Sequence, residues 1–322
     1  MMAKLSTTSL TPTEFNLDYE AEYNETECLV YDEPPVTIYS IILLICLFGL
    51  VGNGIVLWFL SFHIKRNPFT VYILNLGTTD TCFLLCSVTY IITHMVKGSF
   101  CVDKTFIFIF LLFDLLSVLT YSNSLYLLTA ISTERCLSVI YPIWHRCHRR
   151  RHLSAIVCAL LWALSILLAG PVAFFCVILK NEICGISLLP VFVLNVLIFT
   201  PIMVLSNLTL FIKVRRSSQR QQPGKLYIVI LLSVLFFLLF AVPMSVDMFL
   251  IFHKIYDSSD ISHMLSSANS SINPFIYFLV GSYRKRRFRG SVKGALQSVF
   301  EEKVDPREDG ETTRVDPVET ST

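Results

Sequence analysis

Residues 69–95 read FTVYILNLGTTDTCFLLCSVTYIITHM: an apolar stretch with one aspartate, Asp80, well inside it. About 20 predominantly apolar residues suffice to cross a bilayer as helix, so the stretch is long enough to be a span. Asp80 lies about eleven residues in from its start, roughly 16 Å deep at ~1.5 Å per residue. A charge near mid-membrane costs about 2.5–3.5 kcal/mol on insertion scales, so Asp80 marks a functional site by default.

Working outward, six more apolar stretches cover approximately 36–62, 105–138, 153–177, 188–212, 226–252 and 261–281. The composition agrees, with 54% hydrophobic and 16% charged residues in 322 and a mean hydropathy of +0.62. That is too apolar for an ordinary soluble chain. The sequence predicts an all-α integral membrane protein: a seven-transmembrane helix bundle over 36–281, preceded by an extracellular tail, 1–35. An amphipathic cytoplasmic helix, 282–300, and a disordered tail, 301–322, follow.

Charge sets the direction. Lys65 and Arg66; Arg146, Arg149, Arg150 and Arg151; Lys213, Arg215, Arg216, Arg220 and Lys225; and the run Arg284 to Arg289 fall on one side, against Lys4, Lys97, Lys104, Lys180 and Lys254 on the other. The positive-inside rule therefore puts the N-terminus outside and the C-terminus in the cytoplasm. Each basic cluster is short and flanks a span, which reads as topology and not as nucleic-acid binding. Residues 1–35 carry eight acidic groups and one lysine and no apolar run, so the first span directs insertion. Asn24 opens a glycosylation sequon in that tail; those at Asn207 and Asn269 fall inside spans and read as coincidental.

Polar residues inside the spans group by depth. Asn53 sits among small residues, Gly52 and Gly54, where its amide can bond across a close helix contact. Ser124, Asn269, Ser270 and Asn273 lie at a depth comparable with Asp80. Two readings stand side by side: an oxygen-lined pocket holding ionised Asp80 with a small hard cation, or a protonated Asp80 in a structural hydrogen-bond network. Pro201, Pro243 and Pro274 each remove a backbone hydrogen bond within a span and supply pivots. Glu134-Arg135 ends the third span, where the arginine either pairs, contacts something cytoplasmic, or simply snorkels. Asp114 and Asp247 are the acids placed to meet a ligand from outside, with Tyr90, His94, Tyr121 and Phe249 as neighbours; interhelical hydrogen bonds are the plainer reading for each.

Cys46, Cys82, Cys86, Cys136 and Cys158 fall in spans and read as small apolar residues. Cys176 and Cys184 flank a short outer loop and are close enough in sequence to bridge, and Cys28 with Cys101 is a second option. No cysteine follows Cys184, so the cytoplasmic tail carries no palmitoylation site. Phe288, Val292, Leu296, Val299 and Phe300 recur at helical spacing among Arg284, Lys285, Arg286, Arg287, Arg289 and Lys293, the pattern of an interfacial helix on anionic membrane lipid. Phosphorylation candidates are Ser217 and Ser218 beside Arg215-Arg216, and Thr312, Thr313, Thr320, Ser321 and Thr322 in the acidic tail.

These residues carry a resemblance. Gly52-Asn53, Asn75 to Asp80, Trp162, Pro201, Pro243 and Asn273 to Tyr277 occur in the order of rhodopsin-like G-protein-coupled receptors. Lys65 to Ile73, Leu125 to Trp144 and Asn269 to Pro274 resemble, more narrowly, the Mas-related receptors, over about 36–300. The resemblance implies activation by an extracellular peptide or small-molecule ligand, coupling to heterotrimeric G proteins, arrestin recruitment by a phosphorylated tail, and residence in the plasma membrane. It implies that Asp80, Ser124, Asn269 and Asn273 surround an allosteric sodium ion, with no other cofactor, and that Glu134, Arg135, Pro243, Pro274 and Tyr277 serve activation and coupling.

Departures from the general receptor pattern are expected to matter. Phe110 stands where most such receptors have a cysteine stapling the third span, so the resemblance makes Cys176–Cys184 the replacement bridge. Ala241 occupies the usual tryptophan position before Pro243, and Thr209 that of a fifth-span tyrosine. Val172 and Leu189 stand where relatives that bind cationic peptides carry an acidic pair, which argues against such ligands. A transporter would show internal repeats with paired broken helices, and none is evident. The sequence also has no metal-spaced His/Cys cluster, phosphate-cradling loop or nucleophile triad of an enzyme.

Overall fold

The computed structural model describes residues 36–64, 67–97, 104–143, 147, 152–178, 183–217, 225–240, 242–252, 260–282 and 292–300. Among them every regular element is helical. Helix α1 spans Val36–Phe62, α2 Pro68–Lys97 and α3 Lys104–Ile140. Helix α4, Leu153–Val172, runs on into a π-helical segment, Ala173–Ile178. Helix α5 is composite: Ile183–Phe192, a π-helical segment Val193–Phe199, then Thr200–Ser217. Helix α6 comprises Lys225–Phe240 and Val242–Phe252, on either side of the position before Pro243; α7 is Asp260–Ser282 and α8 Val292–Phe300.

Six of these rods are long and apolar enough to cross a membrane by length and composition, and α7 is not among them. The reason lies in its sequence, DISHMLSSANSSINPFIYFLVGS, whose serines and asparagines lower its hydropathy. Ser266, Ser267, Asn269, Ser270, Ser271 and Asn273 are all buried, so the polar face of α7 points into the bundle. Large apolar side chains such as Phe48, Trp58, Leu160, Leu167, Leu205 and Leu279 face outward, as a lipid-facing surface requires.

Helix α3 is the axis. In an apolar 18-residue stretch within Leu115–Ile140, 78% of residues are buried, against 17–29% for the corresponding stretches of α1, α4, α5 and α6. It packs on α2, α4 and α5, while α1 packs on α2 and α7, and α7 also meets α6 and α2. Close approach on the α1 side depends on glycine: a Cβ at Gly49 would collide with the Ser271 hydroxyl and the Leu84 methyl, and one at Gly52 would press on Pro274 at 3.1 Å. The Asn53 amide then donates to the carbonyls of Gly49 and of Ser270, both at 3.0 Å, fastening α1 to α7.

In helix α8, Ala295, Leu296, Val299 and Phe300 are buried against the ends of α1, α6 and α7, with Lys293 exposed. An apolar stripe satisfies its need for burial equally on acyl chains or in a protein cleft, and here a cleft is at hand. The basic run Arg284 to Arg289 lies outside the described residues.

Candidate functional site

The site is organised by four successive residues of α3. A helix turns about 100° per residue, so Tyr121, Ser122, Asn123 and Ser124 address different neighbours in turn. The Tyr121 hydroxyl meets Ser245 Oγ of α6 at 2.6 Å. Ser122 Oγ accepts from the Asn195 amide of α5 at 3.0 Å. Asn123 donates to Thr79 of α2 and accepts from Ser165 of α4, each at 3.3 Å. Ser124 Oγ donates to Asp80 Oδ1 at 3.2 Å. All four are buried, so one turn of α3 ties α2, α4, α5 and α6 together at a single level.

Asp80 sits at the crossing of three helices. Besides Ser124, the Asn273 amide of α7 donates to Asp80 Oδ2 at 2.9 Å, and Ser270 also contacts the carboxylate. Asn269, buried on the same helix one turn earlier, belongs to the same polar face of α7. Carboxylate, hydroxyl and amide oxygens are the donor set of a hard cation, so the residues present fit a sodium ion. Nearby, Trp162 Nε1 donates to Asn75 Oδ1 at 3.1 Å, joining α4 to α2.

Three of the outer-side candidates, Tyr90, Tyr121 and Asp247, have described side chains. Tyr90 of α2 is buried and stacks on His263 of α7, ring centroids 4.9 Å apart at 13°. Tyr121 lies deeper, stacked on Phe237 of α6 at 6.0 Å. Asp247 is half-buried on α6. Asp114, His94 and Phe249 belong to α3, α2 and α6, but their side chains lie outside the described residues, as do those of Cys176, Cys184 and Ser217. Asn24, Ser218 and the tail threonines and Ser321 also lie outside them.

At the cytoplasmic end Arg135 is half-buried, its guanidinium 4.6 Å from the centroid of Phe69. Tyr72 faces Glu134. Tyr277 is buried and meets Phe300 of α8 edge-on, centroids 5.5 Å apart. Phe300 in turn lies 6.0 Å from Phe69. The two residues assigned to activation therefore meet the same aromatic group.

Comparison with known proteins decides the family. Residues 52–277 match the family described as 7 transmembrane receptor (rhodopsin family). The chain is 41% identical to rat Proto-oncogene Mas over 288 residues, covering 85% of this chain and 87% of that protein. It is 44% identical to rat Mas-related G-protein coupled receptor member H over 289 residues, covering 87% and 88%, and 41% identical to the human member D over 288, covering 86% and 88%. The chain belongs to the Mas-related G-protein-coupled receptors. It is thus a multi-pass membrane receptor of the rhodopsin family and not an enzyme.

Within this Mas-related receptor, several structural residues carry no distinct signal in the sequence: Ser122, Asn123, Tyr126, Asn195 and His263 in the spans, and Phe69 below them. Asn195 is the clearest. It accepts from the Tyr126 hydroxyl at 2.8 Å, donates to Ser122 and is fully enclosed in the π-helical segment of α5. Its carbonyl accepts from Thr200 Oγ1, five residues on, at 2.7 Å, the spacing of a π-turn. The hint of it is a general one: an asparagine inside the run Val191 to Phe199 is costly unless satisfied.

Proposed function

We propose that this Mas-related receptor resides in the plasma membrane with its N-terminus outside, binds a peptide or small molecule at the outer ends of its helices, and passes the signal to a heterotrimeric G protein through a sodium-linked polar centre at Asp80. The charge asymmetry of the loops supports the orientation. The observation that carries the mechanism is the convergence on one carboxylate of Ser124 from α3 and Asn273 from α7. A sodium ion there would be held by Asp80, Ser124, Asn269 and Asn273, and would supply a positive charge that keeps the carboxylate ionised and the three helices together. Asn273 ties α7 to Asp80, and Pro274, one residue beyond it, gives the helix a pivot at that tie. Motion of α7 carries Tyr277 at the cytoplasmic end, where Arg135 faces the transducer. Arrestin then reads the phosphorylated tail.

The test needs no ligand. The purified wild-type receptor should melt at a higher temperature in sodium chloride than in choline chloride at equal ionic strength, because a ligand that binds the folded state stabilises it. Asp80→Asn should abolish the difference. An equal sodium-dependent rise in both proteins would remove the cation from the mechanism.

A further inference from the structure

At the cytoplasmic end of the bundle the receptor's own α8 packs against α7, α6 and α1 and places Phe300 beside Tyr277 and beside Phe69, the ring that Arg135 also touches. Four contacts define the seat. The Phe300 ring lies 6.0 Å from Phe69 and 5.5 Å, edge-on, from Tyr277. Phe69 is also the ring over which Arg135 is placed, at 4.6 Å. The carbonyl of Phe300, one of the last in α8 and so without an intrahelical partner, accepts from Asn67 Nδ2 at 2.7 Å. The backbone of α8 touches α7 so closely that a Cβ at Gly281 would collide with the Ala295 carbonyl. Leu296 and Phe300 are enclosed to 1% and 2% exposure, and α8 reaches α6 as well as α7. A helix resting on a bilayer would leave such a face open to lipid.

From this we propose that α8 is an autoinhibitory plug: Val292–Phe300 occupies, in the unstimulated receptor, the groove between α2, α3, α6 and α7 that a G-protein helix would enter. An amphipathic helix in an apolar groove is a recurrent recognition mode, and two helices of the same receptor system compete for one groove when each needs its apolar face buried. Docking of the transducer then requires α8 to leave, which uncovers its stripe of Leu296, Val299 and Phe300 to water. The cost of unseating α8 lowers agonist-independent signalling without closing the groove permanently. The inference rests on the G-protein reading given above, but the position of α8 is measurable separately.

Two measurements on the full-length receptor in lipid nanodiscs test it. In the first, agonist-independent nucleotide exchange on purified G-protein heterotrimers is compared for wild type, Phe300→Ala and Gly281→Ala, which loosen the plug from its two sides. Each variant should raise exchange about two- to tenfold, the shift expected when one buried aromatic pair is lost from a two-state balance. Exchange that stays level or falls at equal amounts of folded receptor overturns the plug. In the second, Val299→Cys is reacted with a membrane-impermeant maleimide, the unsubstituted receptor serving as background. Labelling should be slow in the resting receptor and faster in the Phe300→Ala background. Rapid labelling of resting receptor overturns the seat of α8 whatever the exchange assay shows. Slow labelling with no exchange by any protein on any heterotrimer would instead reject the G-protein reading, and with it the competition for the groove.

Discussion

At the scale of single residues, Asn195 shows how a neutral side chain can matter as much as a charge. Its buried amide is matched on both sides, to Tyr126 and to Ser122. Asn195→Ala leaves a buried hydroxyl on each neighbour, at about 1–3 kcal/mol per orphaned group. The expected outcome is a melting temperature several degrees below wild type in detergent; an unchanged value would mean the network is redundant. The same residues explain what was legible beforehand. Asp80, Ser124 and Asn273 stood out because a carboxylate in an apolar run demands partners at its own depth, and three of the four partners named for it, Ser124, Ser270 and Asn273, do reach it. Ser122 did not stand out, because a hydroxyl in a span usually satisfies itself. Thr78, Thr81, Thr89 and Thr93 of α2 each donate to the carbonyl four residues back. Nothing in a string of letters distinguishes those from a serine bonded across to the next helix.

At the scale of elements, the spans were legible from hydropathy, while their irregularities were not. The π-helical segments Ala173–Ile178 and Val193–Phe199 follow Pro171 and Pro190, each within its preceding helix, and proline leaves a carbonyl for the chain to re-satisfy with a wider turn. The sequence reading named Pro201, Pro243 and Pro274 as pivots but had no measure of which would widen the helix. The α8 stripe was legible in the same limited way: periodicity gives the face and not what covers it. Packing between α1 and α7 yields a prediction at this level. Gly49→Val places a branched side chain against Ser271 and Leu84, and overpacking of this kind costs about 1–3 kcal/mol. Surface expression of the variant should fall, and Gly54→Ala, where nothing lies within 4 Å of the added methyl, should not lower it. Equal expression of the two variants would show that helix approach at Gly49 is not limiting. The outer loop offers another: non-reduced peptide mapping should recover Cys176 and Cys184 in one disulfide-linked species, and recovery of both as free thiols would leave that loop without its staple.

At the scale of the molecule, α3 divides the labour. Its polar turn, Tyr121 to Ser124, holds the neighbouring helices at mid-membrane, and about two to three turns further on it presents Asn207-bonded Ser132 and then Arg135 to the cytoplasmic end. Ser245 and Asn273 are points at which α6 and α7 are tied to α3 and Asp80, so a shift of either helix at its outer end is felt there. The central claim is therefore that the receptor's output leaves at Arg135. The most direct measurement is nucleotide exchange on a panel of purified G-protein heterotrimers by the intact receptor and by Arg135→Ala, each in lipid nanodiscs at matched amounts. The account predicts exchange above that of empty discs for the wild type on at least one heterotrimer, and exchange at the empty-disc level for Arg135→Ala. Equal exchange by the two proteins would contradict it.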